Sequence, residues 1–205
     1  MLDSISPQTL QSTAANGTGL LSGLDTMATI QILLVQDYDA QLRHLATGMK
    51  AFKNVKQAYR KDIEALQQAM LGDSIKIDKK EYLRVETDDL KKTINQKKEY
   101  KANLETGEVL PASQGSDKLV HEMEWPSDKE TGQKKGKGDV VDKDKLQQKI
   151  DLLNERLDQY NEQSELSSLK LQSLTNQRKV AFEALSNLIG KQSDTLTSIV
   201  RNFRN

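Results

Sequence analysis

From Leu146 to Leu188 the chain carries a repeat that steps alternately by four and three residues. Its positions are Leu146, Ile150, Leu153, Leu157, Tyr160, Ser164, Ser167, Leu171, Leu174, Arg178, Ala181, Leu185 and Leu188. On a helix these positions form one narrow, mostly apolar seam, which another helix must cover. Residues 142–205 therefore read as a long coiled-coil helix. Ser164, Ser167 and the charge of Arg178 lie within the seam. Polar residues there cost stability and can fix register. After Leu188 the pattern predicts a phase slip by one, to Leu196, Ile199 and Phe203, with Ile189 and Val200 widening the apolar face.

Residues 23–71 offer a covering helix. Asp25 sits near its start, favourable for the helix dipole, and Gly72 follows its last periodic residues as a stop signal. Apolar and aromatic residues recur at helical spacing at Leu42, Leu45, Met49, Phe52, Tyr59, Ile63 and Leu66. Packed against Leu153, Leu157, Tyr160, Leu171 and Leu174, they make an intramolecular coiled coil. The beginning of this helix is more apolar than one seam requires. Met27, Ile30, Ile32, Leu33, Leu34 and Val35 cover more than one face. That stretch, at roughly ten residues, is short of the ~20 needed to span a bilayer. A helix apolar on several sides has to be buried on several sides. In an antiparallel hairpin this start meets the widened end of the C-terminal helix. The predicted self-assembly interface is therefore Ile30, Leu33, Leu34 and Val35 with Leu185, Leu188, Ile189, Leu196, Ile199, Val200 and Phe203.

Residues 72–141 change character. Ser74–Asp78 alternates apolar and polar, Tyr82–Glu86 does so in part, and Asp78–Lys80 between them suits a hairpin turn. Asp88 to Leu104 reads as a short helix. Glu105 to Asp139 is poor in apolar residues and rich in glycine and lysine, so it reads as a mobile loop. Trp125, the single tryptophan, is either an anchor on a partner or the cover of a local patch. The expected fold is mainly α: an antiparallel two-helix coiled-coil hairpin, a small variable insert with room for a β-hairpin, and a disordered N-terminus over residues 1–22.

Composition narrows the function. Apolar residues make up 36% and aromatics 4% of 205 residues, which suits narrow seams better than a thick core. Lysine plus arginine equals aspartate plus glutamate at 30 each. Without a clustered positive surplus a nucleic-acid partner is not expected. The chain has no cysteine, which removes disulfides, thiolate metal sites and cysteine nucleophiles. Its start lacks the basic and apolar regions of a cleaved secretory signal and is rich in Ser, Thr, Gln and Asn. His44 lies off the main stripe, and His121 beside Glu122 and Glu124 matches no metal-ligand spacing. Gly136–Lys137–Gly138 lacks the strand and helix of a phosphate loop. The sequence leads to the expectation of no catalytic residue, no metal and no cofactor.

The C-terminal run Ala181-Phe-Glu-Ala-Leu-Ser-Asn-Leu-Ile-Gly-Lys-Gln-Ser-Asp-Thr-Leu-Thr-Ser-Ile-Val-Arg resembles the closing helix of type III secretion needle-tip proteins. The run Ile30-Gln-Ile-Leu-Leu-Val-Gln-Asp-Tyr-Asp-Ala-Gln41 resembles the apolar beginning of the first helix in EspA-like filament subunits. The shared plan, an export signal followed by two helices around an insert, spans nearly the whole chain. The resemblance implies a secreted, extracellular protein at the bacterial cell surface that self-assembles into a needle-tip filament or tip complex. It further implies a cytoplasmic secretion chaperone, a needle subunit and translocator pore proteins as partners, with no direct membrane span. The competing expectation is a cytoplasmic coiled-coil adaptor, scaffold or chaperone-like dimer, for which a narrow seam suffices.

Overall fold

The computed structural model describes residues 7–111, 115–127 and 132–204, with side chains from 22 onward. In chain order the elements are α1 (Pro7–Met70), β1 (Ser74–Ile77), β2 (Lys80–Arg84), α2 (Asp88–Asn95), β3 (Gln96–Lys97), β4 (Tyr100–Ala102), β5 (Val109–Pro111), β6 (Gly115–Ser116), β7 (Val120–Trp125), β8 (Gly136–Asp142) and α3 (Lys143–Arg204). They fall into two compact units, Leu45–Ser168 and a second built from Met1–His44 with Leu169–Asn205.

Within Leu45–Ser168, four strands form an antiparallel sheet in the order β1-β2-β8-β7. The β1–β2 hairpin turns at Asp78 and Lys79, both with positive φ. That is the turn geometry whose twist matches paired strands. Alternation along the strands gives the sheet two apolar faces. Leu83, Val141 and Val120 lie in one row across β2, β8 and β7 and join the main core. Ile75, Val140 and Trp125 form a smaller cluster with Ile77, Tyr82 and Met123.

The expected two-helix hairpin with a small insert is therefore wrong for this chain, and the composition of the core gives the reason. Val55, Tyr59, Ile63 and Leu66 of α1 and Leu146, Ile150 and Leu153 of α3 are buried together with Leu83, Val85, Ile94, Val120 and Val141. The segment between the long helices supplies core, a short helix and a sheet rather than decoration. The loop expected over 105–139 contains β5, β6, β7 and part of β8. The helix expected over Asp88–Leu104 stops at Asn95. Thr87 caps its start by accepting from the Leu90 N–H at 3.2 Å. Lys149 Nζ binds the Ile94 and Gln96 carbonyls at 2.7 and 2.9 Å, satisfying groups that a longer helix would use itself.

The expected disordered N-terminus is also corrected. Helix α1 covers Pro7–Met70, so residues 7–22 are helical. Residues 1–6 lie outside those described.

In the second unit α1 and α3 run antiparallel. Gln192 Nε2 donates to Asp25 Oδ1 at 2.6 Å, and Arg178 Nε donates to the Asp39 carboxylate. The covered positions of α1 step through Leu24, Ala28, Gln31, Val35, Tyr38 and Leu42. Those of α3 step through Leu171, Leu174, Ala181, Leu185, Leu188, Gln192, Thr195 and Ile199. The slip expected after Leu188 is absent. The heptad phase continues through Gln192 and Thr195, two polar residues, and leaves Leu196 and Phe203 off the seam.

Candidate functional site

Continuity of the seam sorts the residues expected to drive assembly. Val35, Leu185, Leu188 and Ile199 are half-buried seam positions of the second unit. Ile30, Leu33, Leu34, Ile189, Leu196, Val200 and Phe203 are exposed. The residues expected in the intramolecular seam are all covered. Phe52, Tyr59, Ile63, Leu66, Leu153 and Leu174 are buried, and Leu42, Leu45, Met49, Leu157, Tyr160 and Leu171 are half-buried.

The exposed apolar residues form ordered strips. On α3, Phe182, Ile189, Leu196 and Phe203 recur one heptad apart, with exposures of 55%, 54%, 47% and 72%. Phe182, Ile189 and Leu196 each directly follow a seam residue, namely Ala181, Leu188 and Thr195. They occupy the flanking position that coiled coils usually give to charges. Phe182 joins the strip although it lies outside the residues expected to drive assembly, and the heptad spacing to Ile189 is the signal that marks it. On α1, Met27, Ile30 and Leu34 share another helix face at spacings of three and four. Met27 and Ile30 line a groove of about 480 Å³ with Gln31, Ala184, Asn187, Leu188 and Lys191. Paired by their seam, the two helix segments thus leave an apolar strip uncovered on each. Large contiguous apolar exposure marks interaction surfaces in soluble proteins.

The main polar cluster lies in the Leu45–Ser168 unit. Asp62, 8% exposed, accepts from Lys98 Nζ at 2.6 Å and from the Tyr100 hydroxyl at 2.7 Å. The Tyr59 hydroxyl accepts from the Tyr100 N–H at 3.1 Å, and the Tyr160 hydroxyl donates to the Tyr100 carbonyl at 2.9 Å. Burial and the hydrogen bond to Asp62 push the Tyr100 phenol well above its usual range. Burial and neighbouring Tyr59 push Tyr160 up as well. Both phenols stay protonated at neutral pH. The cluster ties β4 to α1 and α3, with its hydrogen bonds directed inward.

Trp125 resolves as local cover. It is 6% exposed and lies over Gly136 and Gly138 of β8, with the Arg84 guanidinium 5.7 Å from its ring. His44 is exposed. His121 alternates with Glu122 and Glu124 along β7, so its ring lies on the opposite face, edge-on to Tyr82 at 6.2 Å. Lys137 pairs with both glutamates. Among the described residues there is no group of three or more metal-type ligands, and no helix is long and apolar enough to cross a membrane. No family model, curated protein or solved structure matches the chain.

Proposed function

We propose that the chain is a secreted, self-assembling structural subunit of a type III secretion needle-tip filament or tip complex, acting as a conduit or bridge between needle and translocation pore. The observation that carries the assembly part is the heptad-spaced strip Phe182, Ile189, Leu196 and Phe203, exposed beside a seam that is already covered. A simple dimer seam does not need this second strip, whereas packing against further helices does. The resemblance of the runs at Ala181–Arg201 and Ile30–Gln41 supplies the secretion system, the extracellular location and the partners. A cytoplasmic chaperone that shields the same strips before export fits this reading, because uncovered apolar strips also favour aggregation.

Negative-stain electron microscopy with light scattering over a concentration series tests assembly. The expected result is concentration-dependent filaments or rings. A clean monomer or dimer at high concentration counts against the reading and favours the adaptor. Recovery of the chain from the culture medium of a type III-competent strain, and its loss on inactivating the export ATPase, tests the secretion part.

A further inference from the structure

We infer that the helix pair of the second unit is a clasp that opens by itself, parting its two seams while the Leu45–Ser168 unit stays folded. Opening takes place within one copy, whether or not copies assemble.

Burial sets the two units apart. In Leu45–Ser168, Val55, Tyr59 and Leu66 of α1 and Leu146 of α3 are at most 1% exposed, because Leu83, Ile94 and Val141 of the intervening segment pack on them as well. In the second unit Leu174 and Ala181 are the buried residues among those described, and the other seam positions are half-buried. Gln31, Gln192 and Thr195 make the seam partly polar. Most of a helix's stability in a protein comes from the apolar face it buries, so a pair that buries little holds itself weakly.

The two helix segments are also weak in themselves. Gly23 and Gly190 lie inside α1 and α3, and a Cβ added at either meets nothing within 4 Å. No close approach calls for glycine there, in contrast to Gly48, where Leu104 lies 3.4 Å from the added Cβ. Glycine at such a place lowers helix stability relative to alanine. Thr26, Thr29, Thr175, Ser186, Thr195 and Thr197 each turn their hydroxyl onto the carbonyl four residues earlier. That bond slightly destabilises a helix and bends it. Of the links across the pair, Arg178 and Asp39 are 44% and 38% exposed, where an ion pair contributes little. Few buried contacts and weak helices put this unit at the low end of local stability, so it opens well before the whole chain unfolds. Opening turns one covered seam into two free ones, with Val35 and Leu42 on α1 and Leu171, Leu185 and Leu188 on α3.

Amide hydrogen exchange on the full chain, at concentrations where sedimentation velocity shows a monomer, tests this. Amides over 176–199 are expected to exchange about a hundredfold or more faster than those of Tyr59, Leu66, Leu146 and Ile150. Gly190→Ala is expected to slow exchange about fivefold over 176–199 and also over 24–42 of the facing helix, because a lone helix of this composition is marginal in water. Exchange at Tyr59, Leu66, Leu146 and Ile150 is expected to stay unchanged. Equal protection in the two units overturns the inference, as does a Gly190→Ala variant that slows both units alike or neither. Slowing confined to α3 means that one helix end frays alone, and overturns it too.

Discussion

Gly136 lies directly beneath the indole of Trp125, and an added Cβ there would sit 2.7 Å from the ring. Gly136→Ala is expected to lift the ring and cost about 1–3 kcal/mol, the usual range for overpacking a filled site. Because Trp125 is the single tryptophan, its fluorescence should shift to the red in the folded variant. The Asp62 cluster makes a second residue-scale prediction. Asp62→Ala leaves the Lys98 ammonium and the Tyr100 hydroxyl without their acceptor and is expected to cost about 2–3 kcal/mol in urea unfolding. The Tyr100 phenol ionises at higher pH in the fold than when free. A raised pKa gives stability that is fully present below the free tyrosine value of about 10 and is lost as pH rises beyond it. Tyr100→Phe should therefore lose less stability than the wild type between neutral and strongly alkaline pH, measured by urea unfolding at each.

At the scale of elements, α3 keeps one heptad phase along the described second unit, and polar residues hold it at Gln192 and Thr195. Thr195→Leu places an apolar side chain in the seam and is expected to raise stability by about 1 kcal/mol. Leu196→Gln, one residue on, is expected to change monomer stability by less than about 0.5 kcal/mol. Thermal unfolding of the two variants, under conditions where the chain is monomeric, separates a continuous phase from a slipped one. This element also shows what the sequence made legible. The seam from Leu146 to Leu188 was readable because its repeat is long and apolar. Its continuation was hidden because Leu196 and Phe203 are more apolar than Gln192 and Thr195, yet lie beside the seam. The sheet was harder still to read. β8 contains Gly136-Lys-Gly-Asp, which resembles a flexible loop in composition, but its glycines make room for Trp125 on the neighbouring strand. β5 and β6 are too short to show a period, and Asn95 joins α2 to β7 through a side-chain bond to the Val120 N–H that no local pattern announces.

For the molecule as a whole, residues that hold a copy together are distinct from those proposed to join copies. In the second unit the seam and the Arg178–Asp39 pair do the first. In the proposed assembly the exposed strip Phe182, Ile189, Leu196 and Phe203 does the second. The most direct measurement is sedimentation velocity over a concentration series, comparing the wild type with the chain carrying Ile189→Gln and Leu196→Gln. Growing assemblies are expected for the wild type and a folded monomer for the variant. A monomeric wild type throughout, or a variant that assembles equally well, would contradict this.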